Sequence, residues 1–293
     1  MKFSANYSIK DLEKLSGIKA HTLRIWEKRY SLFEPERTDT NIRFYTNNDL
    51  KRILNISMLN KSGFKISKIA ALSEAQIAAK VSEITNASTS YEEHIDKFIM
   101  SMIDLNEASF DKTFSDCVTN IGFEDCIQKV VVPFFIRIGT MWQTGSINPA
   151  QEHFVSNIVR QKLIVAIDSI KQSSKKSKGT VLLFLPENEL HELSLLFYAY
   201  ALKMRNYKIV YLGQSVPTDT LVRVSEIVKP DILLSVITAP PHKGLLDSLI
   251  NTLASLKPKR TILLSGRAVF ERKKKLPPSI SLFKGFQELL KLI

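Results

Sequence analysis

With 293 residues, 41 Lys and Arg against 29 Asp and Glu, and a formal net charge of +12, the chain is long enough for two or three cores and basic enough to favour polyanionic partners. It has no apolar run of membrane-spanning length, and its opening MKFSANYSIK lacks the apolar stretch and small-residue cleavage site of a signal peptide; this excludes a membrane partner and makes the cytoplasm the expected location. Its two cysteines, Cys117 and Cys126, form no C-x-x-C pair, which excludes a disulfide framework or thiolate metal site and leaves them as core thiols.

Residues 1–75 predict four short helices and a compact hairpin. Ser8 with Asp11 has capping-box spacing, Ile9, Leu12 and Leu15 form an apolar stripe, and Gly17 ends the helix. In the next helix Leu23, Trp26 and Tyr30 share one face, while His21, Arg24 and Lys28 repeat the spacing roughly opposite. A small domain that buries one side of a helix and shows cations on the other suits insertion in a major groove; an ordinary amphipathic helix has the same pattern. Residues 37–45 alternate like a half-buried hairpin strand, with Arg43 and Tyr45 on one side and Ile42 and Phe44 on the other. Thr46 and Asp49 then start a further helix, with Leu50, Ile53 and Leu54 as its apolar members. This quarter of the chain carries 14 Lys and Arg against 8 Asp and Glu.

Weak apolar periodicity over 74–90 reads as a linker, assigned to 76–90. Residues 91–172 keep helical period in about four segments with no strand alternation, with breaks expected near Gly122, Gly139 and Gly145, and predict a four-helix bundle. Beyond a lysine-rich joint, residues 179–293 alternate short apolar runs (180–185, 208–212, 232–238, 261–265 and 280–283) with helical stretches. That is the pattern of a doubly wound parallel, flavodoxin-like α/β domain, whose ligands sit at strand C-termini. The expected class is thus multidomain, α and α/β. Basic clusters at 173–178, 257–260 and 272–275 read as solvated loops and helix ends, with weak non-specific contacts to a polyanion as the alternative.

The run from Ile18 to Tyr30, followed by Pro35-Glu36-Arg37-Thr38, Arg43-Phe44-Tyr45 and Gly63-Phe64, resembles a MerR-family winged helix-turn-helix over nearly all of 1–75. The resemblance implies double-stranded operator DNA as partner, with Thr22, Arg24, Arg37, Arg43 and Tyr45 as contacts and Lys19 and His21 beside them. Where the family usually has Gly, this chain has Asn41, which tolerates left-handed backbone well.

Asn148, Pro149 and Gln151 supply the cap, first-position proline and third-position glutamine of a helix start. Trp142 precedes Glu152 and His153 across it, a set that taken alone reads as core aromatic and ordinary helix residues. The loop after the first α/β strand carries Glu189, His191 and Ser194, and its histidine projects from the strand's C-terminal edge, where an imidazole can ligate a cofactor-held metal. Together, Trp…Glu-His and Glu-x-His-x-x-Ser are similar to the cobalamin-binding module of the CarH/LitR light-responsive repressors over about 91–293. The resemblance implies adenosylcobalamin, with His191 as the cobalt ligand, Trp142, Glu152 and His153 over the upper axial group, and Ser235, Ser265 and Gly266 along the nucleotide-tail channel. This chain departs from that pattern at Ser194, usually Gly, at Ser265, one of a usual glycine pair, and at Gln143, where light-sensing members often carry His.

No P-loop, G-x-S-x-G, H-E-x-x-H or G-x-G-x-x-G motif occurs, so the sequence reads as a regulator and not an enzyme. The leading expectation is a repressor that couples adenosylcobalamin occupancy to assembly of a homo-oligomer (dimer or tetramer) on its operator, with RNA polymerase as a further partner. The alternative keeps the DNA-binding head and makes the module a cofactor-free dimerisation or docking unit.

Overall fold

The computed structural model describes residues 7–38, 40–87, 91–143, 147–171, 176–239, 244–256, 260–272 and 274–293, without the side chains of 82, 84–87 and 140–143. The chain forms two compact units, Met1–Ser156 and Asn157–Ile293.

Both expected capping boxes are present. Ser8 Oγ accepts from Asp11 N at 3.3 Å and the Asp11 carboxylate accepts from Ser8 N at 2.8 Å at the start of α1 (Ile9–Ser16), which Gly17 closes at φ +74°. α2 (Ala20–Tyr30) buries Leu23 and Trp26. A two-stranded antiparallel wing, β1 (Glu36–Arg37) and β2 (Arg43–Phe44), pairs Arg37 with Arg43 and turns through Asn41 at φ +64°, so asparagine takes the left-handed position. Thr46 and Asp49 make the second reciprocal cap, at the head of α3 (Asn47–Lys61), and α4 (Ile66–Ile69) follows.

The segment read as a linker is instead mostly helix, α5 (Glu74–Ala87), with Ile77 and Val81 buried. Two features drive it. Ser73 and Gln76 form a third reciprocal cap, with Gln76 N to Ser73 Oγ at 3.3 Å and Ser73 N to Gln76 Oε1 at 2.9 Å, and the alanine-rich stretch behind it has high helix propensity. α5 and the helical stretches after it lie within the first unit.

Four helical stretches follow: α6 (Tyr91–Ile103), α7 (Glu107–Ile121), a run made of α8 (Phe123–Cys126), one π turn (Ile127–Val131) and α9 (Val132–Gln143), then α10 (Pro149–Ser169). Phe98 stacks on Phe110 at 4.3 Å and meets Phe134 at 5.4 Å in their core, and Cys117 and Cys126 are buried free thiols. Gly122 breaks the chain between α7 and α8 at φ +82°. Gly139 does not: it lies within α9, where the neighbouring apolar residues hold the turn. Gly145 lies outside the described residues. The π turn relieves Pro133, which has no N–H for the carbonyl four residues back and would clash with it in a regular helix. α10 starts as expected, Asn148 Oδ1 accepting from Ala150 N at 2.9 Å and Gln151 Oε1 from Asn148 N at 3.1 Å, and it crosses the boundary between the units.

In the second unit β3 (Thr180–Pro186), β4 (Lys208–Val216), β5 (Ile232–Val236), β6 (Thr261–Ser265) and β7 (Ile280–Leu282) form one parallel sheet in the order β4-β3-β5-β6-β7. This is the flavodoxin-like order, 2-1-3-4-5 within the domain. Helices α11 (Leu193–Met204), α12 (Thr218–Val228), α13 (Leu245–Ser255), α14 (Arg267–Phe270) and α15 (Phe286–Leu292) connect and cover the strands. Leu182, Phe184, Leu233, Ile262 and Leu264 pack with Leu221, Leu249 and Leu253 in one core cluster, while Phe197 of α11 meets Phe286 of α15 at 5.1 Å. Strand order reverses between β3 and β5, so the crevice beyond their C-terminal ends is where a ligand of this fold sits. Among the described residues, no helix is long and apolar enough to cross a membrane.

Candidate functional site

Two places in the chain carry chemistry. In the head, burial of Leu23 and Trp26 turns His21, Arg24 and Lys28 outward, while Thr22 is half-buried. Glu13 prepares this helix: its carboxylate accepts from Ala20 N at 3.0 Å and from Lys19 Nζ at 3.1 Å, and both hold it below its ordinary pKa. Lys19 is therefore tied to the entry of α2. On the wing, exposed Arg37 donates to Asn41 Oδ1 at 2.6 Å, and exposed Arg43 lies 3.4 Å from Glu27 Oε1.

Tyr45 corrects the sequence reading. It is wholly buried, donates its hydroxyl to Glu27 Oε2 at 3.3 Å, and meets Phe33 edge-on at 5.9 Å. Burial and the Glu27 charge push its phenol up to about 12. The strand alternates as predicted, but the face shared by Arg43 and Tyr45 turns toward α2 and leaves Ile42 exposed. Tyr45 thus anchors the wing to α2 and is no contact surface for DNA.

The second place is the C-terminal edge of the parallel sheet. After β3 the chain turns through Asn188 at φ +67°, with Glu189 N donating to Pro186 O at 2.9 Å, and buries the Glu189 carboxylate. One oxygen accepts from Thr238 N at 2.7 Å and Ala239 N at 2.8 Å, beyond the end of β5; the other accepts from His191 N at 3.0 Å and lies 2.6 Å from His191 Nδ1. Burial alone would raise this carboxyl, but its hydrogen bonds from His191, Ala239 and Thr238 outweigh burial and bring it down to about 2. An ionised carboxylate only accepts, so Nδ1 carries a proton and, in the neutral imidazole, the lone pair is on Nε2. Glu189 thereby joins the loops on both sides of the strand-order reversal and fixes the tautomer of an exposed histidine.

A neighbouring network escapes the sequence reading. Glu192, buried at the start of α11, accepts from Tyr211 OH of β4 at 2.9 Å and from Arg160 Nε of α10. Burial and the Glu192 charge push the Tyr211 phenol well up, so it stays a donor. Nothing in local spacing joins residues 160, 192 and 211.

The expected channel residues lie along the same edge. Ser235, next to the C-terminal end of β5, is fully buried, and its Oγ has no hydrogen-bond partner. Ser265 is buried, with Ile237 N donating to its carbonyl at 2.8 Å. Gly266 has φ +100°, and a Cβ there would stand 2.3 Å from Ile237 O, so the close approach of the end of β5 already demands glycine. Ser194, exposed in the first turn of α11, lies outside the left-handed region, so its side chain adds no backbone strain. In the first unit Glu152 Oε2 lies 3.0 Å from His153 Nδ1 in the first turn of α10. Trp142 is near the end of α9, with its side chain outside the described residues. The structure therefore brings together Glu189 with His191, Glu152 with His153, and Ser265-Gly266 with the end of β5.

The unpartnered Ser235 hydroxyl, together with a histidine whose lone pair is held on Nε2 at the switch point, fits a metal-bearing cofactor with a buried tail. Head, helical region and parallel sheet together define a multidomain DNA-binding protein whose C-terminal domain has a corrinoid-protein type of fold. The MerR HTH family regulatory protein model matches residues 7–76, and the B12 binding domain model matches residues 94–166. The chain is 28% identical over 250 residues to the HTH-type transcriptional repressor CarH of Myxococcus xanthus, covering 83% of each chain. It is 23% identical over 227 residues to the HTH-type transcriptional repressor CarA of the same organism, covering 77% of this chain and 74% of that one. Among solved structures it is similar to the monomethylamine corrinoid protein of Methanosarcina barkeri, with TM-score 0.50 and 19% identity over 61% of this chain and 86% of that one, a likeness of fold alone. The chain thus joins a MerR-type helix-turn-helix to a region that matches a B12 binding domain, and over most of its length it is similar to CarH. Its matched relatives regulate transcription, in keeping with the reading of a regulator and not an enzyme.

Proposed function

We propose that this protein is a cytoplasmic repressor that binds adenosylcobalamin through its C-terminal domain and couples occupancy to oligomerisation and operator binding. The observation that carries this reading is the Glu189–His191 pair at 2.6 Å, which holds an exposed imidazole in the tautomer that ligates through Nε2. When bound, the cofactor would supply a reactive metal–carbon bond, and the residues around it would respond to whether that bond is intact. His191 would hold its metal, Ser235 would line its tail, and Trp142, Glu152 and His153 are proposed to cover its adenosyl group. Ser194 and Ser265, in place of glycines, would narrow the channel without removing the ligand.

On the DNA side Thr22, Arg24, Arg37 and Arg43 are proposed contacts, with Lys19 and His21 beside them. Bound as a dimer or tetramer, the protein would control access of RNA polymerase to the promoter. If the cofactor favours the DNA-binding oligomer, operator DNA must tighten cofactor binding by the same free energy.

The test is the visible spectrum of protein purified in the dark with adenosylcobalamin, compared with His191→Ala. The expected result is a coloured wild type and an altered spectrum in the variant. A colourless wild type would leave the module a dimerisation or docking unit.

A further inference from the structure

Residues 1–156 carry 19 Lys and Arg and 19 Asp and Glu, whereas residues 157–293 carry 22 against 10. The basic excess of the head is cancelled by the acidic helical region, and the net charge of +12 equals that of the α/β unit alone.

The sheet gathers much of this charge at its N-terminal edge, opposite the Glu189–His191 edge. Four adjacent strands are each entered through a basic residue: Lys208 opens β4, Lys178 precedes β3, Lys229 precedes β5 and Arg260 precedes β6. Neighbouring strands lie about 4.8 Å apart, so the row spans about 15 Å. Lys176 adds to it. Backbone links hold these residues in place: Lys178 N donates to Asn206 O at 3.0 Å, Asn206 Nδ2 to Lys176 O at 3.0 Å, and Lys208 N to Gly179 O at 2.9 Å.

Helix ends account for part of the set. Arg205 donates to Ala201 O in the last turn of α11 and Arg260 to Ser225 O in that of α12, at 2.9 and 2.8 Å, as cations favour helix C-termini. Lys176, Lys178, Lys208 and Lys229 are exposed, and among the described residues none of the four forms an ion pair with a carboxylate. Of the acids beside them, Asp231 is engaged by Thr180 N at 2.7 Å, and Glu226 lies in the last turn of α12.

We infer that the N-terminal edge of the sheet is a second DNA-binding surface, taking the phosphate backbone of duplex DNA without reading sequence. The solvated-loop reading explains scattered lysines; it does not explain one cation per strand along a fixed edge that faces few acids. Duplex DNA is the partner this favours because the chain already carries a DNA-reading head, and phosphate contacts add affinity independent of base sequence.

The test uses the full chain, on a random-sequence duplex, a fragment of its own promoter region and a single-stranded RNA, with affinity measured across a salt series. The triple variant Lys176→Gln/Lys178→Gln/Lys208→Gln should weaken both duplexes alike and flatten the slope of log affinity against log salt by about 0.9 for each phosphate left without its lysine, roughly 2 to 3 in all. Its preference for the promoter fragment should stay. The matching Lys→Arg triple, which keeps the charge, should retain the wild-type slope and guards against misfolding. A wild-type slope in the Gln triple overturns the inference, as does loss of single-stranded RNA binding with duplex binding intact. Failure of the head reading shows separately, as a wild type that never prefers the promoter fragment.

Discussion

Arg24 stands exposed on α2, its helix held by Leu23 and Trp26 beneath it, whereas His191 is only as useful as the buried Glu189 behind it. On the proposed reading, contact and support in the head are different residues, so a contact can change with little effect on the fold. At the ligand edge one carboxylate both orients the histidine and accepts the two amides beyond β5; support and function there are the same group. The difference follows from the ligands. A polyanionic duplex is met by side chains reaching out, while a metal ligand needs one tautomer held still.

The largest effect expected from this contrast is at Glu189. Glu189→Ala strands Thr238 N, Ala239 N and His191 Nδ1 together and should lower stability by about 3 kcal/mol in denaturant unfolding. Glu189→Gln sharpens the point. Its amide oxygen can still accept from the Thr238 and Ala239 amides, while its NH2 would lose the bond from His191 N, so only part of the stability should return. Its NH2 would then donate to Nδ1 and move the imidazole proton to Nε2, so the cofactor spectrum should resemble that of His191→Ala. A Gln variant with the wild-type spectrum would break the tautomer argument.

Arg24→Ala should do the reverse: about 10- to 100-fold weaker binding to the promoter fragment, with unfolding changed by no more than about 0.5 kcal/mol. Gel shift and denaturant titration of one preparation check both halves. Comparable losses in the two assays would make Arg24 a structural residue and remove the contrast.

What could be read in advance follows the same division. The head is legible because its signals are local: Ser8 with Asp11, Thr46 with Asp49, and the spacing of Leu23 and Trp26 each lie within one or two turns. The five strands are legible as apolar runs because both faces of the sheet are buried. The same capping logic applied to Ser73 and Gln76 would have found α5; weak apolar periodicity masked it, since among its described side chains only Ile77 and Val81 are buried. Tyr45 shows where periodicity stops helping: alternation told which residues share its face, but only the packing on Phe33 and Glu27 told which face is inside. His191 and Glu189 were found by motif, while Glu192 with Arg160 and Tyr211 joins three distant segments and leaves no pattern in any one of them.

The smallest expected effect separates the two accounts of the ligand edge most cleanly, because its sign changes with the ligand. Ser235 Oγ is buried among apolar neighbours with no partner, and a hydroxyl in that state is a liability for the protein alone. Ser235→Ala should therefore raise the stability of the cofactor-free protein by about 1 kcal/mol. If the hydroxyl lines the tail channel, the same variant should bind adenosylcobalamin several-fold more weakly, since the partner it offers is gone. Unfolding with and without the cofactor reads both signs from one pair of proteins. A variant more stable in both states by the same amount would mean that the hydroxyl serves no ligand, and the tail channel would lose the observation that supports it.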